Sequence, residues 1–103
     1  MTHPFPLPEF ARDLPPKFTD GSAVFNDRVR SKFSATQKET EIVNELRKEG
    51  FKIIDGVNEV GRRQAILSGS KFPCKLLWKV SWRVDKVGVI SDVMGYYGEA
   101  GCL

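Results

Sequence analysis

Two cysteines and a row of cations are the residues of this chain whose types and spacing could do chemistry. Cys74 opens the run CKLLWKVSWRV, and Cys102 stands near the far end of the sequence, so a bond between them would close a long loop. Lys75, Lys79 and Arg83 recur every fourth residue in the same run, and an extended strand puts such positions on one face. A line of positive charge beside exposed aromatics can hold the phosphates and bases of single-stranded nucleic acid. Little else offers chemistry. The sequence has one histidine, His3, and its cysteines lack CxxC spacing. Neither a common zinc set nor a Ser-His-Asp or Cys-His arrangement can be assembled from them. Phosphate-loop and dinucleotide glycine patterns are missing, and Asp55 with Glu59 reads as loop rather than as an acid/base pair. The expectation is no enzyme, no metal and no cofactor.

The elements that hold these residues follow from the hydrophobic period. With 103 residues, 41% of them hydrophobic and 28% charged, the chain has the size and balance of one soluble globular domain. A net charge of +3 reads mainly as solubility. Apolar runs are too short to cross a bilayer, and an N-terminal leader pattern is missing from the sequence. Residues 1–20 hold five of the six prolines and are expected to form an extended arm. Its apolar residues Phe5, Leu7, Phe10, Leu14 and Phe18 either lie in a groove of the domain or belong to a mobile linker. Residues 21–103 form the domain.

Asp20-Gly-Ser22 offers an N-cap, and Phe25, Val29 and Phe33 share one helical face, which predicts a helix over 22–32. Thr36 with Glu39 makes a capping box for a second helix. Ile42, Val43 and Leu46 form its apolar stripe, and Gly50 is the left-handed residue that ends it. The period then becomes alternating. Strands are expected over 51–54, 62–68 and 74–84, with Gly69-Ser70 and Pro73 as punctuation after the second. In the third, Leu76, Trp78, Val80, Trp82 and Val84 point one way, while Lys75, Lys79, Ser81 and Arg83 point the other, with Leu77 out of pattern. Asp85 to Gly88 reads as a type I turn with a G1 bulge leading into a fourth strand.

That turn sets a register in which Val84 meets Ile90, Trp82 meets Asp92, Val80 meets Met94 and Trp78 meets Tyr96. The carboxylate of Asp92 would then satisfy the Trp82 indole, and Met94 and Tyr96 would join the core. Leu77 and Tyr97 become neighbours on the wet face, where apolar groups in a polar field mark a protein contact. Lys75, Leu77, Lys79, Arg83 and Tyr97 are therefore the candidate partner-binding set. Cys74 falls opposite Ala100, and one bulge in the glycine-rich end would bring Cys102 within disulfide range. The bond implies an oxidising compartment; the alternative is two unrelated thiols in a cytosolic protein.

The capped helix ending in ELRKEGFKI, then FPCKLLWKVSWRVDKVGVISDV, then YYGEAGCL, together covering roughly residues 25–103, resemble a group of small proteobacterial envelope proteins. The layout is similar to that of the small lipoprotein of the outer-membrane β-barrel assembly machine and to the β-lactamase inhibitor protein repeats. This resemblance implies a periplasmic or membrane-anchored binding domain with no catalytic residues, whose leader and lipid-attachment cysteine are absent from the sequence.

The combined expectation is an α+β two-layer domain, two N-terminal helices packed on one face of a four-stranded antiparallel meander. Its function would be a non-catalytic protein-binding module of the bacterial cell envelope, monomeric or weakly dimeric. Two rivals accompany it: an inhibitor or immunity protein that blocks a toxin or enzyme, and a cytosolic nucleic-acid binder using Lys75, Lys79 and Arg83.

Overall fold

Lys17, just after Pro15 and Pro16, has an extended backbone, and the first helix, α1, begins after it, at Phe18, and runs to Lys32. It therefore starts four residues before the expected Ser22, and Phe18 gains a ring contact with Tyr97 at 5.4 Å. Asp20 lies in its first turn, where its charge meets the positive end of the helix dipole rather than capping it. The second helix, α2 (Glu39–Lys48), opens with the Lys38 N–H donating to Glu41 Oε1 at 3.0 Å. It ends as predicted. Gly50 has φ +95°, the Phe51 N–H reaches Leu46 O at 2.9 Å, and the Gly50 N–H reaches Arg47 O at 3.0 Å, which together form a Schellman cap.

The computed structural model describes residues 7–33, 37–71 and 73–102, except for the side chain of Lys71; His3 and the Thr36 capping box lie outside them. Four strands, β1 (Lys52–Ile54), β2 (Arg63–Lys71), β3 (Cys74–Val84) and β4 (Ile90–Cys102), form an antiparallel sheet in the order β1-β2-β3-β4. Gly69 belongs to β2 instead of ending it. A Cβ there would sit 2.8 Å from Trp78 Cζ3, so the glycine gives room to an aromatic ring. Both helices cover one face, and Phe25, Val29, Ile42, Leu46, Val80, Trp82 and Ile90 are fully enclosed between the layers. Among the described residues no helix is long and apolar enough to cross a membrane.

The turn into β4 is as expected, with Gly88 at φ +85° and the Asp85 N–H bonded to Val89 O at 3.0 Å. The register beyond it is not. Val84 pairs with Ile90, but Asp92 adopts φ +53° and is inserted as a bulge, so Ser81 pairs with Met94, Val80 with Gly95 and Trp78 with Tyr97. A one-residue slip exchanges the faces. Val93, Gly95 and Tyr97 turn toward the helices, while Met94 and Tyr96, expected in the core, are 46% and 47% exposed. The Trp82 indole donates instead to Glu39 Oε2 on α2, at 2.9 Å. Burial raises the Tyr97 phenol above its ordinary pKa of 10.0.

From Ile90 to Tyr97 the outer edge of β4 is closed by α1 and the segment leading into α2. Asn26 Oδ1 accepts the Gly95 N–H at 2.8 Å, Ser22 Oγ accepts the Tyr97 N–H at 3.1 Å, and Gln37 O accepts the Ile90 N–H at 2.9 Å. An edge that would otherwise invite another strand is occupied by side chains of α1. Close approach of α1 requires Gly95, whose added Cβ would meet Val29 Cγ2 at 2.7 Å and Phe25 Cδ2 at 3.0 Å. Gly95→Ala is expected to cost about 1–3 kcal/mol by overpacking, read as a lower midpoint in urea unfolding. An unchanged midpoint would show that α1 is not held this tightly.

Candidate binding face

The face of the sheet opposite the helices is built by the alternate residues of all four strands. Across it, Lys52, Ile66, Lys79 and Tyr96 form one row, Gln64, Ser81 and Met94 the next, and Leu77 with Gly98 a third. Of the five candidate partner residues, the structure brings Lys75, Leu77, Lys79 and Arg83 together here. Tyr97 does not join them. The Asp92 bulge turns it onto the helical side, where its ring packs at 5.3 Å from that of Trp78.

Tyr96 takes the place expected of Tyr97. A Cβ on Gly98 would collide with the Tyr96 hydroxyl oxygen, so the phenol lies down over the glycine. Lys79 Nζ stands 5.6 Å from the centre of that ring, a cation–π distance. Leu77, Ile66 and Ile54 are half-buried beside them. The result is an aliphatic and aromatic centre among cations.

One end of the face is organised by Arg62, expected only as the first residue of the second strand and found just before it. Arg62 is 8% exposed, and its guanidinium donates to Asp92 Oδ2 at 2.7 Å, to Ser81 Oγ and Ser81 O at 3.1 Å each, and to the Asp92 carbonyl. Four acceptors around one planar fork fix both the bulge and the strand opposite it. Arg83 adds a contact to Asp92 at 3.6 Å and donates to Val60 O at 2.9 Å, so its charge is committed within the protein. The available signal was the interval from Ile90 to Val93, two apolar residues three apart in a strand whose period should be two. Arg62→Met is expected to cost about 2 kcal/mol, because two backbone carbonyls lose their donors while exposed Asp92 rehydrates. Urea unfolding measures this. Full rescue by Arg62→Lys would show that the fork geometry is immaterial.

Cys74 and Cys102 are directly paired across β3 and β4 and form a disulfide with Cα atoms 3.9 Å apart. A second register shift, between Lys75 and Leu76, is what aligns them. Among the described residues, Cys74, Cys102 and Glu99 place three potential metal-ligand atoms within 4.8 Å of one another. With the sulfurs joined, neither is a thiolate able to bind a cation. On the opposite side of the molecule, a cleft of about 990 Å³ between the N-terminal segment and both helices mixes Arg12, Arg28 and Lys32 with Glu9, Asp27 and Glu45. Charges of both signs there select no ligand class.

No family model matches the chain, and no curated protein and no solved structure is significantly similar to it.

Proposed function

We propose that this protein is a non-catalytic protein-binding module of the bacterial envelope, and that its contact surface is the sheet face the helices leave uncovered. The observation that carries this reading is the exposure of Met94 and Tyr96 beside Leu77 and Ile66 on a face ringed by cations. Apolar groups gathered in a polar field are what a partner covers. The resemblance to small envelope proteins supports the compartment, and the Cys74–Cys102 disulfide is compatible with an oxidising one. An inhibitor or immunity protein is the same reading with a single dedicated target, distinguished by a tight stoichiometric complex.

One observation also favours nucleic acid. Tyr96, not expected on the basic face, stands there with Lys79 over its ring, the pairing that single-strand binders use.

The test places a photoreactive amino acid at Leu77, and separately at exposed Asn44 on α2, in the protein expressed in its native host. A discrete adduct with one identifiable protein from position 77 and none from 44 is expected. Equal labelling from both positions, or none from either, removes the sheet face as the contact surface. Alkylation of both cysteines without prior reduction would remove the envelope assignment.

A further inference from the structure

We infer that the partner of the uncovered sheet face presents an apolar centre ringed by carboxylates, an inference that rests on the protein-binding reading above. The charge arrangement carries it. Asp92, the carboxylate on this face, is held by Arg62 at 2.7 Å and Arg83 at 3.6 Å. Among the described residues, Lys52, Lys75 and Lys79 have no carboxylate partner. The face therefore keeps three uncompensated cations and no uncompensated anion from its strands.

Their positions are set by the pairing. Lys75 and Lys79 are four residues apart on β3, roughly 13 Å, and Lys52 lies two strands away from Lys79 in the same row, roughly 10 Å. Between them are Ile66 and Leu77. Covering that centre with a neutral apolar surface would strip water from three unpaired ammonium groups, which is costly. A partner with carboxylates at the rim removes the penalty and adds long-range attraction.

Other occupants fit less well. A second copy would bring the same three lysines against each other. A nucleic acid strand would find few free cations for its phosphates and a centre that is largely aliphatic, with one ring available for stacking.

The experiment uses the full chain with its disulfide intact, labelled with nitrogen-15, and three probes followed by amide shifts. The first is an amphipathic peptide of about 18 residues, long enough to hold a helix, with a leucine stripe flanked by glutamates. The second replaces each glutamate by lysine, and the third is a thymidine oligonucleotide. The glutamate peptide is expected to shift Leu77, Lys79, Met94 and Tyr96. Its affinity should fall at least ~10-fold between roughly 50 and 500 mM salt, and should be lost in the Lys75→Glu/Lys79→Glu variant with its unfolding midpoint retained. Equal binding of the lysine peptide, saturation of these amides by the oligonucleotide first, or their broadening through self-association each overturns the inference. If the glutamate peptide does not bind while the adduct from Leu77 still forms, only the carboxylate inference falls. If neither occurs, the protein-binding reading falls with it.

Discussion

Phe10→Ala is expected to destabilise the protein by about 3–5 kcal/mol, the cost of removing a large buried ring. The residue belongs to the proline-rich segment, yet it is 7% exposed and its neighbour Ala11 is 2% exposed. Its ring stacks on Phe25 at 5.6 Å and on Phe51 at 5.8 Å, and meets Phe33 edge-on at 6.0 Å. Those three partners come from the middle of α1, the residue after it and the link from α2 to β1, so one side chain ties together segments that are otherwise joined by loops. Of the two readings of the proline-rich segment, packing along a groove is the one observed for Leu7, Phe10, Leu14 and Phe18. A domain of this size holds roughly 5–15 kcal/mol in all. The variant should therefore lose a large share of its stability, with a thermal midpoint lower by some ~15–30 °C. A loss below ~1 kcal/mol would mean that the stacked rings are incidental contacts of a dispensable tail.

Reduction of the Cys74–Cys102 bond is the second large effect. The bond spans 28 residues, and in the chain-entropy account closing such a loop contributes about 2–4 kcal/mol by restricting the unfolded state. Native structure adds a local reason. β4 continues past Tyr97, where the bonds from α1 to its outer edge end, through Gly98 and Gly101 to Cys102. Thermal unfolding with and without a phosphine reductant, repeated on a Cys74→Ala/Cys102→Ala variant, should show the same drop in both. Hydrogen exchange should localise the loosening to Leu76 and Leu77 while Trp82 and Ile90 stay protected. If the reduced protein melts with the oxidised one, the bond is a passenger on a hairpin already held by its ladder.

The helix ends and the β3–β4 turn were legible because each is a local device. Gly50 and Gly88 take positive φ where the pattern of caps and turns requires it, and no distant residue has to be known. The alternation of β3 was legible for the same reason, since burial follows its period from Leu76 to Trp82. The start of α1 was misjudged because Asp20 and Ser22 both look like caps, whereas the helix already starts at Phe18, whose ring meets Tyr97 far along the chain. The binding face was half legible. Lys75, Leu77, Lys79 and Arg83 lie on it because they precede the bulge, whereas Met94, Tyr96 and Tyr97 were assigned to the wrong sides because Arg62, thirty residues earlier, stabilises an extra residue at Asp92. The side chain that holds the bulge is too distant in sequence to read, and its one local trace is the odd interval between the apolar Ile90 and Val93.

The inserted Asp92 works as a parity digit. Whether Met94 and Tyr96 are displayed or hidden depends on whether the ladder takes up Asp92 or passes over it. The same letters, paired without the bulge, would hide that display and bring its buried neighbours out. A second step, between Lys75 and Leu76, passes over one more residue of β4 and so brings Cys102 opposite Cys74. The two steps run the same way, and their sum draws β4 far enough along β3 to set its covalent end in place.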